Sequence, residues 1–223
     1  MRVSHGGLQL SSASGILLIL LYCTFTFVSW LFYPYPYSPW SNYLSRLGNF
    51  DYSPIGAYFY NLGCILTGIA LIPFFIGMWE WSPTNALGKG VLLLGQVMGM
   101  CSVLALILIG VFSEDQGSPH MIASSAFFLL NFFVLVLISI ALLLHHRFIK
   151  LIGLFGLVLT FLSLPLEVFL GGPFVEWYTV FGSLIFVGLV SYNTMLLGKD
   201  ERESHGIKSL ELPRSRSSTR SQV

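Results

Sequence analysis

Few places in this chain could support chemistry. Residues 111–120 read Val-Phe-Ser-Glu-Asp-Gln-Gly-Ser-Pro-His, which sets two carboxylates, two hydroxyls and an imidazole between long apolar runs. An imidazole beside carboxylates is the equipment of general acid–base work: His120 exchanges the proton, and Glu114 or Asp115 orients its ring. Asp51, in the polar stretch 42–51, and Glu167 supply further acids, so His120, Asp115, Glu114, Asp51 and Glu167 form the candidate catalytic set. Ser45, Arg46, Asn61, Ser124 and Glu176 offer hydroxyl, guanidinium, amide and carboxylate groups for holding a substrate.

Other designs fit these residues less well. A catalytic zinc site takes three protein ligands, often several histidines. Here His120 stands apart from His145 and His146, which follow the next apolar run, and from His5 and His205 near the ends. No metal is therefore assigned, although a carboxylate-and-histidine site for a harder cation stays open. Ser45 or Ser113 with His120 and Asp115 has the residue types of a nucleophilic triad but no nucleophile-elbow motif around either serine. Cys23, Cys64 and Cys101 lie inside apolar runs without metal-type spacing and read as packing residues. The cofactor is unknown.

The elements that must position these groups follow from composition. Of 223 residues, 55% are hydrophobic and only 9% charged, and the apolar residues come in runs long enough to cross a bilayer. A spanning helix needs about 20 such residues. The expected fold is all-α: a polytopic membrane protein with six transmembrane helices in one bundle. The runs place helices over residues 14–33, 55–79, 90–112, 120–144, 148–170 and 174–197. A polar arm, 1–13, precedes them, and a Ser- and Arg-rich tail, 198–223, is expected to be disordered. The long first loop is expected to hold a short re-entrant or interfacial helix near residues 40–47, stopped by Gly48. Pro165 should kink the fifth helix.

Charge then orients the bundle. With six spans both termini share a side with Lys89, Arg147 and Lys150, whereas Arg46 stands on the other. The positive-inside rule expects both termini in the cytoplasm and the Arg46, Glu114 and Glu176 loops outside. A net charge of +1 points to no nucleic-acid partner.

Several helices carry one polar stripe each. Thr160, Ser163 and Glu167 share a face by i, i+3, i+7 spacing, as do His120, Ser124 and Asn131, and Glu176, Thr179 and Ser183. Stripes densest towards the outside suit an outward-opening polar cavity, and an ionisable group such as Glu167 within an apolar helix normally faces a cavity or the bundle interior. The alternative for Asn131 and Ser183 is a plain helix–helix hydrogen bond. Gly95 and Gly99 form a GxxxG that permits close helix packing.

Two segments carry a resemblance. One is Ser38-Pro39-Trp40-Ser41-Asn42-Tyr43-Leu44-Ser45-Arg46-Leu47-Gly48, running on to Ser53-Pro54 and Asn61; the other is Gly110-Val111-Phe112, Glu114-Asp115 and His120. With six spans they resemble the family catalogued as domain of unknown function 998, over residues 14–197. More distantly they are similar to the damage-regulated autophagy modulators and the GPI-anchor lipid-remodelling proteins. The first resemblance implies a six-helix membrane protein of unsettled activity. The distant ones imply a link to membrane lipids as partners. Asn42 stands where an acid would be expected near the serine, so an acid–base role for that loop falls to Asp51. Binding or modifying membrane lipids is the leading expectation, with a proton-linked transporter and a structural or regulatory protein as alternatives. Whether the chain is an enzyme is left open.

Overall fold

The computed structural model describes the backbone of residues 9–211 and the side chains of residues 9–199. Six helices follow in order: α1 Leu10–Leu31, α2 Gly56–Gly77, α3 Ala86–Val111, α4 Ser118–Leu144, α5 Lys150–Leu170 and α6 Gly172–Glu211. Three short 3-10 turns, Leu44–Gly48, Met78–Trp81 and Glu114–Gln116, interrupt the links, and no strand occurs among the described residues. All six helices are long and apolar enough to cross a membrane. The chain is a multi-pass, all-α membrane protein.

The helices close into a ring. Each packs on its neighbour in sequence, and α6 returns to α1. Leu18, Phe74, Ile138, Leu142 and Val190 fill the centre, almost wholly buried. Without a strong hydrophobic force between helices in lipid, small residues set how closely backbones approach. The GxxxG is used inside the chain: a Cβ at Gly95 would stand 2.7 Å from Ile138 of α4, and one at Gly99 2.5 Å from Phe75 of α2. Two different neighbours thus take the two glycines.

Polar contacts tie the end of the bundle where α1 begins. The Leu10 amide donates to Glu80 Oε1 at 3.1 Å, so a carboxylate satisfies an orphan N–H at the positive end of the helix dipole. This cap lets α1 start at Leu10, earlier than the apolar run alone suggests. Ser12 donates to the Ser191 carbonyl at 2.8 Å, and Lys150 Nζ donates to the Leu143 carbonyl at 2.7 Å, closing the turn between α4 and α5.

Some boundaries differ from expectation. α6 runs past residue 197 to Glu211, where disorder was expected; Lys199, Glu201, Arg202 and Glu203 favour helix and no proline follows before residue 213. The remaining arm, 1–8, and tail, 212–223, lie outside the described residues. The short helix expected near 40–47 is the 3-10 turn Leu44–Gly48. Pro165 lies within α5, and Pro73 occupies a comparable place in α2.

Candidate functional site

The site lies at the opposite end of the bundle, where the first loop meets the α3–α4 turn. That turn is tight because Gly117 adopts φ 70°, a conformation that side chains with a Cβ disfavour. Ser118 and Pro119 then start α4, with proline in the first turn where its missing N–H costs nothing. His120 follows, 5% exposed, with Nδ1 at 2.8 Å from the Phe112 carbonyl. A carbonyl only accepts, so Nδ1 carries the proton, and in the neutral ring Nε2 holds the free lone pair. His120 therefore straps the end of α3 to the start of α4 and fixes its own tautomer.

The first loop docks on this turn through charged contacts. Asn49 Nδ2 donates to Glu114 Oε2, while Arg46 lies 3.8 Å from Glu114 Oε1. The Phe50 amide donates to Asp115 Oδ1 at 3.1 Å. Burial alone would raise the Asp115 pKa. Hydrogen bonds from the Phe50 amide, the Ser113 hydroxyl and its own amide outweigh that and hold it below the ordinary carboxylate value. Arg46 also stands 5.0 Å above the Tyr52 ring. Asn49 Oδ1 accepts the Asp51 amide at 2.8 Å, and Asn61 Nδ2 donates to the Gly48 carbonyl at 2.9 Å. Ser29 of α1 donates to Leu47 O at 3.1 Å. The loop is thus held by α1, α2 and the α3–α4 turn together.

Glu176 adds the fourth attachment. It sits in the second turn of α6, 8% exposed, and accepts the amides of Leu44 and Ser45, each at 3.0 Å. These N–H groups open the 3-10 turn Leu44–Gly48 and have no partner within it, so the carboxylate does for them what a cap does for a helix. Trp177, the next residue, donates from its indole to the Asn42 carbonyl at 3.1 Å.

Behind this docked loop lies a cavity of about 730 Å³ between α4, α5 and α6. Its loop end is polar, with Tyr43, Ser45, Glu114, His120, Glu167 and Glu176 on the wall. Deeper down, Phe128, Phe132, Leu135 and Leu159 make it apolar, and hydroxyls of Ser124 and Ser125 on α4, Thr160 and Ser163 on α5 and Thr179 on α6 stand on the wall between. The shape has a local cause. α4 and α5 meet closely at their shared turn, where Cβ atoms at Gly153 and Gly156 would stand 2.8 Å and 2.1 Å from Ser139 O and Oγ. Towards the loop end the wall opens sideways: Met121, Leu129 and Leu164 line the cavity yet are 67%, 61% and 54% exposed. A narrower central chamber, about 90 Å³, adjoins it and shares Ser45, Ser124 and Glu176.

Of the candidate residues, the fold brings His120, Glu114, Glu167, Ser45, Ser124 and Glu176 to one cavity wall. Asp115 holds the first loop instead, and Arg46 pairs with Glu114. Asn61 is buried as a strut under Gly48. Asp51 is exposed and lines neither cavity, because its backbone turns around Asn49 and directs it away. The stripes of α4, α5 and α6 converge on the cavity, except that Asn131 donates across to Ser183 at 3.2 Å as a helix–helix bond. Sequence reasoning missed Tyr43 and the two amides held by Glu176; the spacing within one helix carries no sign of a partner in a loop. Among the described residues no group of three or more His, Cys, Asp or Glu side chains could hold a metal ion.

The family model described as protein of unknown function, DUF998, covers residues 16–198. No curated protein and no solved structure matches the chain.

Proposed function

The chain belongs to the DUF998 family of proteins of unknown function, and from its geometry we propose that the cavity between α4, α5 and α6 takes a single membrane lipid. The observation that carries this reading is the graded wall with a side opening. A lipid has a polar end at the membrane surface and apolar chains below it; the cavity has polar groups at the bundle end and apolar ones below. From His120 to Leu135 along α4 is roughly 22 Å at 1.5 Å per residue, deep enough for an acyl chain. A volume of about 730 Å³ falls within the usual range for small-molecule sites. The exposed Met121, Leu129 and Leu164 mark where a chain enters sideways from the bilayer.

The basic residues Lys89, Arg147 and Lys150 lie at the end where α1 begins, and Arg46 at the other. By the positive-inside rule the termini are cytoplasmic and the lipid comes from the outer leaflet.

A second reading, catalysis on the held lipid, is favoured by His120. The Phe112 carbonyl keeps the proton on Nδ1, which leaves Nε2 free to take one. Permeation finds less support, since buried Phe74, Phe75 and Met78 line the floor of the central chamber.

Native mass spectrometry of the purified chain in bilayer discs tests the binding reading. The wild type should retain one lipid through delipidating conditions, and Ser125→Trp, which fills the cavity from an exposed position, should retain none. A wild type that retains no more lipid than Ser125→Trp would sink the reading. A change in the lipid's mass on incubation, lost in His120→Gln, would move it to catalysis.

A further inference from the structure

The character of the cavity's polar end bears on which lipid fits. Glu114, Glu167 and Glu176 all stand on its wall, and among the described residues no lysine or arginine does. Arg46, outside the wall, offsets Glu114 alone. That leaves two carboxylates facing the space a headgroup would occupy. Glu176 accepts the Leu44 and Ser45 amides, one on each oxygen, and the Ser45 hydroxyl as well, which leaves one of its four lone-pair sites open. Glu167 is exposed at the mouth, one turn from the end of α5, with no side-chain partner among the described residues.

The carboxylates do not stand alone. Beyond Glu176, in the chamber that continues the cavity, Thr67 is 2% exposed and its hydroxyl has no hydrogen-bond partner. Buried hydroxyls are satisfied in folded proteins, by protein groups or by what is bound beside them. An unpaired hydroxyl on the chamber wall therefore calls for a polar occupant, water or ligand, on the path past Glu176. Anionic headgroups meet only like charge at this end, which is unfavourable where water is excluded. A positively charged headgroup is attracted by both carboxylates.

Resting on the lipid-binding reading above, we propose that the site selects lipids whose headgroup carries an ammonium group and no net negative charge, with Glu167 and Glu176 as its recognition groups. Glu167 meets the ammonium at the mouth, and Glu176 receives it deeper while still holding the Leu44 and Ser45 amides.

Competition with three lipids of identical oleoyl chains tests this: a trimethylammonium-propane lipid, neutral diacylglycerol and anionic phosphatidylglycerol. Each is offered to the full chain in detergent and the bound species are counted by native mass spectrometry. Retention of the cationic lipid should exceed that of the anionic one on the order of tenfold, since an exposed charge pair contributes up to about fivefold and a shielded one more. Glu167→Gln, a surface change that spares the fold, should cut the preference roughly fivefold. Equal retention of all three, abolished by Ser125→Trp, would overturn the headgroup inference and keep the lipid reading. Preference for phosphatidylglycerol, or a preference unmoved by both Glu167→Gln and Glu176→Gln, would also overturn it. Retention of none of them would overturn the lipid reading itself.

Discussion

Glu176 accepts the Ser45 amide at 3.0 Å across 131 residues of sequence, and so fastens the first loop to the last helix. The bond closes the loop end of the ring, just as α6 on α1 closes its length. It also places the Ser45 side chain on the cavity wall. One carboxylate thus serves as a loop anchor and as part of the polar end of the cavity.

Removing that carboxylate should loosen the loop before it harms the helices. Glu176→Ala leaves two buried N–H groups unpaired and should cost about 2–6 kcal/mol, since each orphan costs roughly 1–3 kcal/mol. Glu176→Gln keeps one acceptor and should cost about half as much. Thermal unfolding in detergent measures the difference, and proteolysis should cut first within residues 38–53. Equal melting temperatures for wild type and Glu176→Ala would remove the anchor role.

The His120 tautomer is directly observable. With Nδ1 donating to Phe112 O, nitrogen NMR of labelled His120 should show the neutral ring carrying its proton on Nδ1 and none on Nε2. His120→Ala orphans the Phe112 carbonyl and should destabilise by about 1–3 kcal/mol. A ring protonated on Nε2 alone would exclude the strap.

Two pH windows should differ in origin. The Asp115 pKa is depressed in the folded state, so its contribution is present above the ordinary carboxylate value of about 3.9 and is lost as pH falls through the lower folded value. His145 is depressed too, by burial first and then by His146, Lys150 and Arg147. Its neutral form is favoured, so stability is full above about pH 6.5 and declines as pH falls towards the folded value, while the unfolded chain takes up the proton. Melting curves from pH 7.5 to 3.5 should show a first decline absent from His145→Gln and a steeper one below about pH 4 reduced in Asp115→Asn. A flat wild-type curve between pH 7 and 5 would exclude the His145 assignment.

Gly156 tests how the cavity is shaped. A Cβ there would come 2.1 Å from Ser139 Oγ and 2.6 Å from Phe186, so even Gly156→Ala pushes α5 off α4 and α6. Overpacking of this kind costs about 1–3 kcal/mol. Thermal unfolding reads the cost, and labelling of a cysteine placed at Leu135 should rise as the cavity floor opens. Gly90, with nothing within 4 Å of a Cβ, is the control: Gly90→Ala should not destabilise.

How much of this was legible beforehand differs by kind of signal. Six spans, an all-α fold and shared helical faces are local properties: apolar run length and a 3.6-residue period express them within about 20 residues. That is why the stripes of Ser124, Thr160, Glu167 and Thr179 could be drawn from spacing and meet in one cavity. Residue type and position at the end of an apolar run pointed to His120 and Glu114, and both stand on the cavity wall. The division of labour among the polar residues needed the tertiary structure. Asp51 and Asp115 have the same chemistry, yet Asp51 is exposed and lines no cavity while Asp115, in the α3–α4 turn, accepts the Phe50 amide of the first loop. Asn61 looks like a site residue until Gly48 is above it, and Glu176 looks like one more group of its helix stripe until Leu44 and Ser45 are beside it. A helix's period says which side chains share a face. Only the packing of the ring, set by close approach at Gly153 and Gly156, decides what that face meets and where a cavity is left.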